Sequence, residues 1–348
     1  MSEKPNALGP WPHRFAVLLA CATFPLLWVG GLVTTTKAGM AVPDWPSTYG
    51  YNLFLYPIST WLAGPWDFFI EHGHRLFAAA VGLISIVLCV AVWRQQAASW
   101  VRWLALGAVA LVIAQGVLGG MRVLMNERLL AMLHGCIGPL FFLVAMGLVS
   151  VTSDSWEEEE LEKSESASKL RRTALLTAGI CYLQLVFGAL LRHMPVDWTP
   201  GAFQAAVWAH LLTAGAVVVH VILVSIEVFR FHRHRSVLVW PVCWLMGLTL
   251  CQLALGVATW VVKYSWPQIA VLADWDPGFV VEAGSMFQTH VITAHVAVGA
   301  MIVAQAARLA WWSWRCVEPM PIAAREANPS SADAPSLQRE ATLAGGAA

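Results

Sequence analysis

Residues 71–93 read Glu-His-Gly-His-Arg-Leu-Phe-Ala-Ala-Ala-Val-Gly-Leu-Ile-Ser-Ile-Val-Leu-Cys-Val-Ala-Val-Trp. From Leu76 to Trp93 the stretch holds no charged residue, and together with the apolar residues just before it is long enough to cross a bilayer, which takes about 20 residues in a helix. A cluster of titratable side chains opens the apolar run. We therefore expect a membrane-spanning helix with polar chemistry at one end.

Seven further stretches have similar length and character. The chain has 348 residues, of which 58% are hydrophobic and 12% charged, whereas a soluble protein has about 25% charged residues. The 19 tryptophans fit aromatic belts at the two membrane surfaces. The sequence predicts an all-α membrane protein with eight transmembrane helices, namely Phe15–Thr34, Phe68–Trp93, Trp103–Gly120, Leu129–Val151, Thr173–Leu191, Ala205–Phe229, Val237–Val262 and Phe287–Trp311.

Charge indicates the surroundings and the orientation of these helices. The net charge of zero says nothing about a nucleic-acid partner, and no basic patch is large enough to suggest one. The low share of charged residues indicates that lipid is the main surrounding of the chain. Because the loops that share a side with both termini carry most of the basic residues, the positive-inside rule places both termini in the cytoplasm. The first apolar run lacks a small-residue cleavage site, so we expect a retained helix rather than a signal peptide.

Repeated spacings divide the chain into two halves. A glutamine precedes a glycine by four residues in residues 115–119, 184–188 and 252–256, and a histidine precedes a glycine by four in 134–138 and 295–299. Such repeats are typical of two similar units inserted in the same direction. We predict two tandem four-helix bundles related by a parallel pseudo-twofold axis.

The corresponding domain boundaries follow from composition. The first bundle covers residues 1–152 and the second covers residues 173–315. Between them, residues 153–172 are acidic and rich in serine, which is typical of a solvated cytoplasmic linker. Residues 316–348 are predicted to form a disordered cytoplasmic tail.

Four histidines each lie a few residues inside the same end of a different span: His74, His134, His210 and His295. An imidazole inside a membrane is costly unless it faces a cavity or a cofactor, and it is a common axial ligand of haem iron. We therefore predict two bis-histidine haem sites near one membrane surface, one in each half. Span eight also contains His290, about 140° around the helix from His295. The repeat favours His295 as the ligand, with His290 as the alternative.

Two charged residues flank His74. Glu71 lies three residues earlier, on the same helical face, where a carboxylate serves proton transfer or stabilises a developing cation. Arg75 is a candidate partner for a haem propionate. The alternative for Glu71 is an ordinary interfacial residue favoured by the helix dipole.

The remaining histidines and the first outer segment receive structural interpretations. We expect His193, His232 and His234 to lie in solvated loops, and residues 30–46 to form an outer loop that folds over a haem edge as a lid or is plain turn structure.

The seven cysteines indicate no redox or metal site. Six fall within predicted spans and Cys316 lies on the cytoplasmic side, so no outer disulfide is available and no spacing matches a metal motif.

Together these motifs resemble the haem A synthase family. The likeness extends from about Arg14 to Trp314, and its most specific parts are residues 31–46 and 71–75. Leu133-His134-Gly135, the glutamine–glycine repeats, residues 188–193 and the histidines of spans six and eight also match.

The resemblance implies an enzyme of the cell inner membrane that oxidises the C8 methyl of haem O to the formyl group of haem A for cytochrome oxidase assembly. It implies that His74 and His134 hold the substrate haem, that His210 and His295 hold a haem b, and that Glu71 is the catalytic carboxylate. Expected partners are a haem O synthase (a protohaem farnesyltransferase) and an unidentified electron donor, and a homo-oligomer is left open.

The chain departs from the family pattern at two places. Many bacterial members carry a cysteine pair in the first outer loop, and residues 35–67 here contain none. The basic residue that often follows the family histidine in span eight is Val291 or Val296.

Two other functions fit four buried histidines. One is a di-haem b electron-transfer protein of the quinol or ferric reductase type, which needs haems near opposite membrane faces. The other is a non-catalytic haem carrier, which has no need of Glu71.

Overall fold

The structure, a computed structural model, describes residues 9–195, 198–264 and 284–320. In chain order, its helices are α1 (Pro10–Thr35), α2 (Ile58–Leu62), α3 (Trp66–Arg94), α4 (Ser99–Met125), α5 (Arg128–Val151), α6 (Asp154–Glu158), α7 (Ala167–Arg192), α8 (Pro200–Phe231), α9 (Ser236–Tyr264) and α10 (Met286–Cys316). A 3₁₀ turn covers Ala38–Met40, and the strands β1 (Glu162–Ser164) and β2 (Val317–Pro319) pair in parallel.

Eight of the helices are long and apolar enough to cross a membrane, which confirms the predicted fold class. Each reaches or passes both predicted ends of its span. Local sequence accounts for several of these ends. Prolines open α1 and α8, where a missing N–H does no harm. Ser285 and Gln288 form a reciprocal capping box at the start of α10.

The long helices pack in two groups. In the first group, α1 contacts α3 and α5, while α4 contacts the same two helices. In the second, α10 contacts α9 and α7, and α8 contacts the same two. Each group surrounds its own cluster of buried apolar residues. The pseudo-twofold axis between the groups stays a prediction.

The two groups meet along α1, α5 and α10. There the ring of Trp311 occupies the space that a side chain at position 147 would need, so Gly147 lets α5 and α10 approach closely. Within the second group, Arg171 of α7 donates to the backbone oxygens of Ser313 and Trp314 near the end of α10.

The predicted solvated linker is in part a folded segment, and this corrects the sequence interpretation. Its Trp156 ring lies 5.0 Å, centre to centre, from the ring of buried Trp312. Glu159 and Glu162 accept hydrogen bonds from Arg235 at 2.6 and 2.7 Å. Aromatic burial and ion pairing together outweigh the solvation that the acidic composition favours, and α7 already begins at Ala167.

Most of the predicted disordered tail, residues 321–348, lies outside the described residues. Its first residues form β2, which pairs with β1 of the linker. The start of the tail is therefore folded against the linker.

Candidate haem sites

The four predicted ligand histidines lie in one layer of the bundle. Each stands within about the first three turns of its helix, with His74 in α3, His134 in α5, His210 in α8 and His295 in α10. The starts of these four helices lie at the same end of the molecule. Gly31 near the end of α1 contacts Thr293 near the start of α10, and His193 after α7 lies beside Gly135 near the start of α5.

Each of these imidazoles packs against a glycine of the preceding long helix. A Cβ atom added to that glycine would lie only 3.1–3.3 Å from the ring Cε1, tighter than an ordinary van der Waals contact. Because these glycines have no side chain, each imidazole ring can lie directly against the backbone of the preceding helix. The glycine–histidine pairs are Gly30–His74, Gly119–His134, Gly188–His210 and Gly256–His295.

In the second group, His210 and His295 face one another. Their ring centres are 6.4 Å apart and the ring planes meet at 70°. Two imidazole–metal bonds of about 2 Å each, with about 1.1 Å from nitrogen to ring centre on each side, give about 6.2 Å between the ring centres. The spacing therefore fits one iron between two imidazoles.

His290 lies elsewhere on α10. Its side chain is exposed, and its ring centre is 6.0 Å from that of Trp28. The structure thus brings His295, and not His290, to His210.

The glutamines of the repeat contact the histidines next to them. Gln115 donates from Nε2 to the backbone oxygen of His134 at 3.1 Å, and His134 Nδ1 lies 3.1 Å from the backbone oxygen of Gln115. Because a carbonyl oxygen only accepts, Nδ1 must carry the proton, which leaves the Nε2 lone pair for a metal. Gln184 Nε2 lies 3.2 Å from both ring nitrogens of His210.

In the first group, His74 and His134 are close enough to interact electrostatically. The Nδ1 atom of His74 is buried and has no hydrogen-bond partner in the structure. Among the described residues, Nδ1 of His295, His220 and His232 share this feature, so it is not specific to the ligand candidates.

Glu71 is 2% exposed, and both of its carboxylate oxygens are engaged. Oε2 accepts the backbone N–H of Val42 at 2.8 Å, and Oε1 accepts a hydrogen bond from Arg75 at 2.9 Å. The carboxylate therefore links α3 to the segment that follows α1.

Arg75 forms hydrogen bonds to the same segment. Nη1 donates to the backbone oxygens of Asp44 and Ser47, and Nη2 to that of Val42, at 2.6–3.1 Å. With the bond to Glu71, both terminal nitrogens are saturated. The predicted propionate contact stays a prediction, and the geometry favours a role in holding the outer segment.

That outer segment is folded onto α3. The predicted lid begins later than expected, because Gly30–Thr35 is the last part of α1. Beyond it, Thr48 Oγ1 lies 3.1 Å from Nδ1 of buried His72. Burial disfavours the charge of Asp44, but the N–H groups of Gly50 and Tyr49 bind the carboxylate and lower its pKa below the usual value.

Two histidines predicted to be solvated are not. His232 is fully buried, and its Nε2 lies 2.8 Å from Ser166 Oγ. His193 is half-buried beside Gly135, next to the ligand candidate His134. His234 is largely exposed, as predicted, and contacts Glu162 at 2.9 Å.

Sequence reasoning missed two arginines. Arg122 of α4 donates to the backbone oxygen of Gly39 at 2.6 Å and lies within electrostatic reach of His74. Arg192 of α7 reaches α1. The available signal was a basic residue directly after an apolar span, but such residues usually face the lipid headgroups.

A family model for the cytochrome oxidase assembly protein family COX15-CtaA matches residues 13–196, just over half of the chain. The chain belongs to the COX15-CtaA family. Its match covers α1, α3, α4, α5 and α7, and with the eight apolar helices it shows a multi-pass membrane protein of a cytochrome oxidase assembly family.

Curated relatives extend the similarity beyond that match. The chain is 27% identical to the "Heme A synthase" of Shouchella clausii over 273 residues, covering 72% of this chain and 87% of that protein. It is 25% identical to that of Rhizorhabdus wittichii over 313 residues, covering 74% and 86%. Over 140 residues it is 31% identical to that of Methylorubrum extorquens strain PA1, covering 37% and 36%.

Proposed function

We propose that the chain is a haem A synthase, which oxidises the C8 methyl of haem O to a formyl group. The observation that carries this proposal is the layer of four glycine-packed histidines in a chain of the COX15-CtaA family. Curated relatives with that name align along nearly three quarters of the chain.

The substrate haem O is assigned to the first group of helices, with His74 and His134 as iron ligands. The conversion adds one oxygen atom to the methyl carbon and removes two hydrogens. It proceeds by two hydroxylations, and the resulting gem-diol loses water to leave the formyl group. The oxidant and the electron donor are left open.

Glu71 is the proposed catalytic carboxylate. It lies one turn before His74 and is buried, so its charge acts in a medium where electrostatic effects are strong. A negative charge there stabilises a cation that develops on the substrate or accepts its proton. Its two present hydrogen bonds, from Val42 and Arg75, leave a further lone pair on each oxygen for the substrate.

The second group is assigned a resident haem b between His210 and His295. The ring spacing of 6.4 Å and the glycine packing support it. When bound, such a haem supplies one-electron transfer. The chain's own part is to hold both rings in fixed orientation, through Gln184 beside His210 and Gly256 beside His295.

Two alternatives are less well supported. Electron transfer across the membrane needs haems near opposite faces, whereas the four imidazoles lie near one end of the bundle. A haem carrier needs no buried carboxylate beside a ligand.

We place the protein in the cell inner membrane with both termini cytoplasmic and the haem sites toward the outer face. We expect a haem O synthase to supply the haem O substrate. The haem A product would then be used in cytochrome oxidase assembly. The loops on the same side as both termini carry most of the basic residues, and this excess supports the orientation.

The proposal is tested in a bacterial host that makes haem O but has lost its own haem A synthase. We expect the unchanged chain to restore activity of the haem A-containing oxidase, and His134→Ala to fail. His220→Ala, ten residues deeper in α8 than His210, serves as the control and should restore it. Absence of restoration by the membrane-inserted, unchanged chain would contradict the proposal.

A further inference from the structure

Arg192 is a buried cation without an anionic partner among the described residues. Its Nη2 donates to the backbone oxygen of Gly31 at 2.8 Å and to Thr35 Oγ1 at 2.7 Å, both uncharged acceptors of α1. Its Nη1 is buried and makes no hydrogen bond. No ion pair within residues 9–195, 198–264 and 284–320 involves it.

Such an arrangement is unfavourable as it stands. The guanidinium group keeps its charge under all ordinary conditions, and a charge inside a membrane protein normally pairs with an opposite charge or faces a functional site. Two neutral acceptors replace only part of the lost hydration. An anionic group on a bound ligand would give Arg192 the ion-pair partner that the two neutral acceptors do not supply.

The position of Arg192 indicates which ligand this is. It follows Gly188 by four residues, so it lies on the same face of α7, about one turn, or 6 Å, closer to the helix end. Gly188 is the glycine that packs against His210. Arg192 is also within electrostatic reach of His295. The guanidinium therefore lies at the contact of α7 with α1, near the His210–His295 pair.

Arg122 and Arg75 differ from Arg192 in this respect. Arg75 pairs with Glu71 at 2.9 Å, and Arg122 lies close enough to Glu71 to feel its charge. Both therefore already have an anion nearby, and the second group of helices offers Arg192 no such group among the described residues.

We propose that Arg192 anchors a propionate carboxylate of the haem in the second group, an inference that rests on the proposed haem site at His210 and His295. Its free Nη1 would donate to the carboxylate while Nη2 keeps its contacts with α1. A charge-assisted bond of this kind is shorter and stronger than a neutral one. The anchor would also tie haem binding to the contact between the two helix groups.

The experiment compares two porphyrins that differ only in charge at the propionates. Full-length protein with His74→Ala, in which the second group holds the remaining ligand pair, is prepared without haem and titrated with iron protoporphyrin IX or its dimethyl ester. Binding is followed by the low-spin absorption of the bis-histidine complex. We expect Arg192→Gln to weaken binding of the free acid by about ten-fold or more and to leave binding of the ester within about two-fold.

Two further variants separate anchoring from structural support. Thr35→Val removes an acceptor of Arg192 but keeps the cation, so any loss should be equal for acid and ester. Arg192→Lys keeps a charge, so the protein should still prefer the acid even if Arg192→Gln fails to fold.

Three results would overturn the proposal. Equal weakening of both porphyrins by Arg192→Gln would assign the residue a structural role. Loss of the acid preference only on Thr35→Val would place the anchor elsewhere. Binding of neither porphyrin by the His74→Ala protein would remove the haem site itself, a result distinct from failure of the anchor.

Discussion

Arg75 and Glu71 form an ion pair of 2.9 Å, and the same arginine binds three backbone oxygens of the segment after α1. Glu71 completes the connection by accepting the N–H of Val42. One carboxylate thus belongs both to the proposed chemistry beside His74 and to the contact that keeps the outer segment closed. The catalytic role and the role in closing the outer segment lead to different predictions.

For the catalytic role, we expect Glu71→Gln to keep haem bound but to reduce haem A formation by about 10²–10⁴-fold, the usual contribution of a positioned acid or base. Haem O or a hydroxylated intermediate should accumulate. Chromatography of haems extracted at matched protein levels measures the effect.

Arg75→Gln is the matched variant for the closing role. It removes three contacts with the outer segment but leaves the carboxylate. If Glu71 acts only by holding that segment, Arg75→Gln should impair haem A formation at least as strongly as Glu71→Gln. We expect a clearly smaller loss.

The assignment of the span-eight ligand is tested by spectroscopy. We expect His295→Ala to abolish the low-spin haem signal of the second group, because no other described imidazole lies opposite His210. His290→Ala should spare it, since that ring packs on Trp28. The reverse pattern would show that α10 presents its other face to the iron.

The glycine packing gives a prediction about size. A Cβ at position 256 would lie 3.3 Å from His295 Cε1, so the extra methyls of Gly256→Val must displace the ring. We expect a weakened or high-spin haem signal. Gly247→Ala in the same helix meets nothing within 4 Å and should leave the spectrum unchanged while stabilising the helix by up to about 1 kcal/mol. Identical spectra for both variants would argue against the packing.

The linker between the two helix groups should loosen in acid. Burial disfavours the charged form of Glu162, but hydrogen bonds from Arg235 and His234 prevail and lower its pKa below its usual value of 4.5. The stabilisation is therefore present above that value and is lost as the pH falls through the lower, folded-state pKa.

We expect amide exchange of residues 159–164, corrected for the intrinsic effect of pH, to accelerate in that acidic range. Arg235→Gln should produce the same acceleration at pH 7. Exchange that stays slow in both cases would mean that Trp156 packing alone holds the linker.

The membrane spans and the layer of histidines could be predicted because their signals are local. An apolar run such as 76–93 has few alternatives to a helix, and the spacing of glutamine, glycine and histidine repeats between the halves. The sequence also favoured His295 over His290, and the structure brings His295 to His210.

Contacts between distant segments could not be predicted in the same way. The bonds from Arg75 to residues 42–47 and from Arg192 to Gly31 depend on packing across helices. The composition around Trp156 indicated solvation, and only the position of Trp312, far along the chain, shows why that residue is packed. Composition describes the mean polarity of a segment. It does not show that a single side chain, here Trp156, packs against a distant part of the chain.

The central claim is a chemical conversion, and the mass of the haem that the protein produces tests it most directly. The chain is expressed with a haem O synthase in a host that forms no haem A, and the extracted haems are analysed by mass spectrometry. The account predicts a product that differs from haem O by one added oxygen and two lost hydrogens, absent with His134→Ala. Unmodified haem O alone, from membranes in which the protein is abundant and both haem sites are filled, would contradict it.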